Sequence, residues 1–140
     1  MGKFQELKVW QRAKDLAVYI YKISGDGKFV KDYGLRDQLR RAAVSIPSNV
    51  AEGDELGTNK QAINFFYIAK GSTAEVLTQA IIAKEIRYID DNTYNQINEE
   101  CMAISGMLTK LIQARRKSPV NPNLKPKTLN LKPQTLNLKP

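Results

Sequence analysis

The segment from Thr58 to about Arg87 constrains the fold more than any other, because its apolar residues point to every side of a helix. Thr58 and Gln61 have the spacing of a capping box, which predicts a helix start at this point. Such a helix is roughly 43 Å long at 1.5 Å per residue. A single bundle of helices covers only part of each member, whereas an all-round apolar helix must be buried on all sides. The segment therefore predicts a helical protein that oligomerises.

Three further segments, about residues 5–24, 33–53 and 92–117, also have helical periodicity. In the last one, apolar residues step by four and three positions and place Cys101 in the core. No segment alternates with a period of two, so no strand is expected. Four helices with short connections predict an all-α fold, an antiparallel up-down-up-down four-helix bundle.

The composition excludes several classes of function. The chain has no histidine, which excludes His-based zinc sites and nucleophiles activated by imidazole. We therefore expect no enzymatic activity, no metal, no cofactor and no small-molecule substrate. Its lone Cys101 cannot form an internal disulfide, no apolar run reaches about 18 residues, and no leader-like segment opens the chain. These features predict a cytoplasmic protein that does not cross a membrane.

Residues 118–140 differ in composition from the rest of the chain. They contain five of the six prolines and four lysines, and they repeat NLKPKTL and NLKPQTL with a period of seven. Proline every seven residues excludes a coiled coil. We expect a folded bundle over residues 1–117 and a disordered tail over 118–140, arising from a short tandem duplication rather than acting as a basic tether.

The chain carries 22 Lys and Arg against 14 Asp and Glu, a formal charge of +8, which favours an anionic partner. Two groups of basic residues share helix faces and form a candidate nucleic-acid-binding set: Lys8, Arg12, Arg36, Arg40 and Arg41. Repeated around an oligomer, these side chains would track phosphates. The alternative is a solvated face on which nearby aspartates offset the positive charge.

A second constellation is polar and surrounds Pro47, which interrupts the second predicted helix. We expect Ser45, Ser48 and Asn49 to form a structural network with Glu75 of the next helix. A carboxylate on such an apolar helix is costly unless it is hydrogen-bonded. A catalytic role for Glu75 is the alternative, but one carboxylate without a second acid or a metal does not make a catalyst.

Four stretches carry a resemblance to a known family. They are LKVWQRA at 7–13, LRDQLRRAAVSIPSNVAEG at 35–53, FYIAKGSTAEV at 66–76 and MLTKLI at 107–112. The chain resembles the four-helix-bundle family of proteins encoded within 23S ribosomal RNA intervening sequences. The resemblance spans about residues 4–116.

The resemblance implies a left-handed antiparallel bundle that assembles into a ring, typically a homopentamer. Members are similar to the accessory variability protein of diversity-generating retroelements, which binds a reverse transcriptase and RNA. Relatives usually have basic residues after the AEG motif, whereas this chain has Asp54, Glu55 and Leu56. Two hypotheses follow for a non-enzymatic oligomer: direct binding of structured, ribosomal or ribonucleoprotein-associated RNA, or a protein-interaction scaffold that meets nucleic acid only through its partner.

Overall fold

The computed structural model describes residues 3–56 and 58–117, and every regular element within them is helical. A 3₁₀ turn at Phe4–Glu6 precedes five α-helices, which are α1 (Lys8–Ile23), α2 (Gly27–Lys31), α3 (Tyr33–Glu55), α4 (Asn59–Glu85) and α5 (Asp91–Lys117). The predicted all-α class is confirmed. The expected tail at 118–140 lies outside the described residues.

The short helix α2 is the one α-helix that was not predicted. It falls between the predicted helices at 5–24 and 33–53, and its five residues are too few to show helical periodicity. The structure buries Phe29 of α2 to 1% exposure and places its ring 5.3 Å from that of Tyr88. A tertiary contact thus stabilises a turn that is too short to be stable alone.

Side-chain caps mark the starts of α3 and α4. The backbone N–H of Gln61 donates to Thr58 Oγ1 at 3.1 Å, which confirms the predicted cap of α4. At the start of α3, Asp32 accepts from the N–H of Leu35 and, through its other oxygen, from the hydroxyl of Tyr88. One carboxylate therefore caps α3 and ties it to the α4–α5 connection.

Small residues bring α3 and α4 close together along the core. Ala42 and Ala43 of α3 are buried, as are Ala62 and Ala69 of α4. Short side chains allow close approach of two helix axes, and this contact positions the outer faces of both helices.

Cys101 of α5 lies in the core at 1% exposure, as the heptad-like stepping predicted. Burial, together with the charge of Glu100, raises the pKa of the Cys101 thiol to about 12. The thiol is therefore protonated at neutral pH and acts as a small apolar side chain.

Candidate nucleic-acid interface

Two arginine–tyrosine pairs stand beside each other where α1 ends and α3 begins. The guanidinium carbon of Arg36 lies 4.8 Å from the ring centroid of Tyr33, and that of Arg40 lies 4.5 Å from the ring centroid of Tyr21. Both tyrosines are exposed residues, at 67% exposure for Tyr33 and 47% for Tyr21. With Arg41, these four residues are named the Arg–Tyr surface.

Arg40 is held in place by the C-terminal end of α1. Its Nε donates to Ser24 Oγ at 2.8 Å, and a terminal nitrogen donates to the carbonyl oxygen of Tyr21 at 3.3 Å. Ser24 is itself buried and donates to the carbonyl oxygen of Ile20 at 2.6 Å. The guanidinium thus compensates unpaired carbonyls at a helix C-terminus, where positive charge is favoured.

Arg36 is fixed in a similar way from the opposite side. One of its nitrogens donates to the carbonyl oxygen of Val30 at 3.0 Å, and Nε donates to Asp37 at 2.9 Å. A guanidinium carries five N–H donors, so both arginines keep donors beyond those used within the chain. Because both side chains are already held in one conformation, binding a ligand would cost them little additional rotamer entropy.

Arg41 differs from these two because it is exposed to solvent. It borders an open hollow of about 500 Å³ on the surface of α3, which is lined by Tyr21, Asp37, Arg40, Arg41, Val44 and Ser45. Guanidinium groups bind phosphate oxygens, and tyrosine rings stack on unpaired bases. The surface therefore combines the two contacts that single-stranded parts of an RNA require.

Lys8 and Arg12, the other two predicted basic residues, lie elsewhere. Lys8 is exposed near the start of α1. Arg12 makes a two-pronged contact with Glu100 of α5, with both N···O distances at 3.0 Å, and this bonding and charge raise the pKa of Arg12. Twelve residues of α1, roughly 18 Å, separate Arg12 from Ser24. The structure therefore brings Arg36, Arg40 and Arg41 together but leaves Lys8 and Arg12 apart from them.

The predicted polar network forms around a different partner. Ser45 Oγ lies 2.8 Å from Ser72 Oγ of α4, and Asn49 Nδ2 donates to the carbonyl oxygen and to Oγ of Ser45. The hydrogen bonds of Ser45 and Asn49 thus go to Ser72 and within α3, rather than to Glu75 as expected, and Glu75 and Ser48 are both exposed. The closely packed α3–α4 contact accommodates a serine, while Glu75, about 60° round the helix, keeps its charge in water.

The two tyrosines of the Arg–Tyr surface were not predicted as functional residues. The spacing of Tyr33 and Arg36, three positions apart on one helix, was an available signal. The pairing of Tyr21 with Arg40 joins different helices and has no comparable local signal.

Two further observations concern residues 3–56 and 58–117. No group of three His, Cys, Asp or Glu side chains in these ranges is placed to hold a metal ion. Within the same ranges, no helix combines the length and apolar character needed to cross a membrane.

Comparisons with known proteins place these features in context. A family model described as "23S rRNA-intervening sequence protein" matches residues 5–110. The chain is similar to the crystal structure of a protein of unknown function from the S23 ribosomal protein family of Bacteroides thetaiotaomicron, with a TM-score of 0.70 and 24% identity. That match covers 75% of this chain and 98% of the other, and it shows a shared fold. No curated protein matches the sequence.

Proposed function

Because this chain belongs to the 23S rRNA-intervening sequence protein family, we propose that it is a non-enzymatic, oligomeric protein that binds structured RNA through the Arg–Tyr surface. The observation that carries the proposal is the pairing of fixed guanidinium groups with exposed tyrosine rings on one side of the molecule. RNA is recognised largely at loops and bulges, whose unstacked bases are available to aromatic side chains.

The proposal includes the arrangement of the protein. The helices α1, α3, α4 and α5 form an antiparallel up-down-up-down bundle, and copies of it associate into a ring, which the family resemblance makes a pentamer. Two features support this arrangement: the short connections between long helices and the large aliphatic residues on the outer side of α4. A ring would repeat the Arg–Tyr surface around its circumference, so that several copies contact one folded RNA.

The local balance of charge also supports RNA as the partner. Residues 21–41 contain six basic and three acidic side chains, and Arg41 is exposed among them. Phosphate contacts of this kind provide affinity without base specificity. Lys8 adds a more distant phosphate contact. Arg12 contributes less to RNA binding, because its guanidinium is already bonded to Glu100.

The test is fluorescence anisotropy of a labelled ribosomal RNA hairpin against the full-length chain at several salt concentrations. The Arg41→Glu variant should weaken binding about ten-fold and reduce the slope of log affinity against log salt by about one, as expected for one phosphate contact. Tyr33→Ala should weaken binding of the hairpin about five-fold or more, and should have little effect on a blunt duplex without unpaired bases.

Lys110→Glu is the matched control, since it makes the same change of charge at an exposed position of α5, which carries none of the Arg–Tyr surface. Equal losses in Arg41→Glu and Lys110→Glu would contradict the assigned surface. If the parent chain binds no RNA even at low salt, the scaffold hypothesis is favoured instead. Capture of a protein partner that survives nuclease and high salt would then identify that class of function.

A further inference from the structure

The open hollow on the surface of α3 contains one residue that phosphate binding does not explain. Asp37 is the single acidic side chain among the residues that line it. The two arginines of the same lining, Arg40 and Arg41, follow it three and four positions later on the same helix face. A carboxylate repels phosphate, so a hollow that binds only the RNA backbone gains nothing from Asp37.

The carboxylate of Asp37 is only partly used within the chain. Its Oδ1 accepts from Nε of Arg36 at 2.9 Å, and the same guanidinium donates to the carbonyl oxygen of Val30. Among residues 3–56 and 58–117, Oδ2 has no hydrogen-bond donor, and the side chain is 54% exposed. An exposed ion pair adds little stability. The contact with Arg36 therefore orients the carboxylate and leaves one oxygen available to a ligand.

The rest of the hollow suits the faces of a flat ring. Tyr21 of α1 gives it aromatic surface and Val44 of α3 gives it aliphatic surface, and both residues are more than two-fifths exposed. Its volume of about 500 Å³ is typical of a small-ligand site. Proteins recognise an unpaired RNA base by stacking on its faces and by hydrogen bonds to its Watson–Crick edge. The hollow offers apolar surface for the first contact and a carboxylate for the second.

The hydrogen-bonding pattern of a carboxylate selects among the four RNA bases. Guanine presents the N1–H and the N2 amino group side by side on its Watson–Crick edge, and these two donors match the two oxygens of a carboxylate. Adenine and cytosine place a ring nitrogen with a lone pair beside their amino group, and uracil places a carbonyl oxygen on each side of its N–H. A lone pair that faces a carboxylate is repelled, so this edge chemistry favours guanine.

We propose that the hollow binds an unpaired guanine of the RNA, with Asp37 accepting hydrogen bonds from the N1–H and the N2 amino group. The base lies against Tyr21 and Val44, and Arg41, one helical turn from Asp37, contacts a phosphate of the same strand. This inference rests on the proposed function and adds a base preference to it, since phosphate contacts carry none. The Watson–Crick edge of a paired guanine is occupied, so the preference applies to loops and bulges.

Hairpins that differ in one loop base test the preference with the full-length chain. A hairpin whose loop of uridines contains one guanine should bind about ten-fold more tightly, by fluorescence anisotropy, than the same hairpin with adenine at that position. Inosine lacks the N2 amino group, so a hairpin with inosine should have an intermediate affinity. Equal affinities of the guanine and adenine hairpins would overturn the guanine site.

The Asp37→Asn variant distinguishes base recognition from a purely electrostatic role. The amide keeps one acceptor but turns the other into a donor, which meets an N–H group of guanine. The preference for the guanine hairpin over the adenine hairpin should therefore fall from about ten-fold to two-fold or less. If Asp37 only offsets the charge of Arg36, its loss should strengthen binding of both hairpins equally. A guanine preference that survives in this variant would overturn the assignment of Asp37.

Asp15→Asn is the matched control. Asp15 is also exposed and pairs with the preceding cation, Lys14, at 2.8 Å, but it does not line the hollow. The control removes the same charge and should keep the parent's preference, and both variants should keep the parent's helical circular dichroism. A parent that binds none of the hairpins at low salt would overturn the proposed function itself. RNA binding without base preference would overturn the guanine site alone.

Discussion

The two sides of α4 have opposite distributions of residue size. The inner side buries Ala62, Ala69 and Ala80 completely against the other helices. The outer side exposes Ile68 and Ile82, which are larger than the alanines that α4 buries on its inner side. The alanines of the inner side allow α4 to approach its neighbouring helices closely. The larger aliphatic residues of the outer side stay exposed on the surface of the chain.

The close contact on the inner side also determines its polar chemistry. The bond between Ser45 and Ser72 requires two short hydroxyl side chains to meet across the α3–α4 interface at 2.8 Å. Gly53 meets the same requirement further along α3, where an added Cβ would lie 2.6 Å from Phe66 Cε1. Few changes of size are therefore tolerated on the inner side, whereas the outer side has open space.

The largest effect is expected from removing the one large aromatic ring of the inner side. Phe66→Ala should lower the free energy of unfolding by about 3–5 kcal/mol, because it leaves a cavity in a fully buried position. Ile81→Ala, at an exposed position of α4, should change it by less than about 0.5 kcal/mol. Urea denaturation measures both. Similar losses in the two variants would contradict the distinction between the two sides.

A smaller effect is expected from adding one methyl group at Gly53, where α3 packs closely against α4. Gly53→Ala should destabilise the chain by about 1–3 kcal/mol, since both the ring of Phe66 and the carbonyl oxygen of Ala62 lie too near the new Cβ. The matched control is Gly106→Ala on α5, which meets nothing within 4 Å. It should stabilise the chain by roughly 0.5–1 kcal/mol through helix propensity. Thermal unfolding should give a lower Tm for Gly53→Ala and a higher Tm for Gly106→Ala, and changes of the same sign would contradict the contrast between packed and open surfaces.

The smallest effect is expected at the C-terminal end of α4, beyond both its inner and its outer side. The N–H of Tyr88 donates to the carbonyl oxygen of Ala83, and the N–H of Arg87 donates to the carbonyl oxygen of Lys84. These two hydrogen bonds form a Schellman motif. Arg87 occupies the left-handed position with φ of 64°, which a glycine adopts without strain. Arg87→Gly should stabilise the chain by about 0.5–1 kcal/mol, and Arg87→Ala should be nearly neutral. A loss of stability in the glycine variant would show that the arginine side chain contributes contacts of its own.

Local and periodic features of the sequence determined the helical elements of this protein. The cap at Thr58, the burial of Cys101 and the approximate bounds of four long helices followed from spacing alone, because helix formation depends on residues three and four positions apart. The four stretches at 7–13, 35–53, 66–76 and 107–112 likewise predicted the family.

Only the tertiary structure decided which side chains meet across helices. Periodicity predicted Glu75 as the partner of Ser45 and Asn49, whereas the structure brings Ser72 of α4 to Ser45. Periodicity also grouped Arg12 with Arg40 as phosphate contacts, whereas Arg12 is bonded to Glu100 of α5 and Arg40 to Ser24 at the C-terminal end of α1. The reason is geometric, because a helical repeat defines which residues share a face but not how far, or at what rotation, the next helix lies.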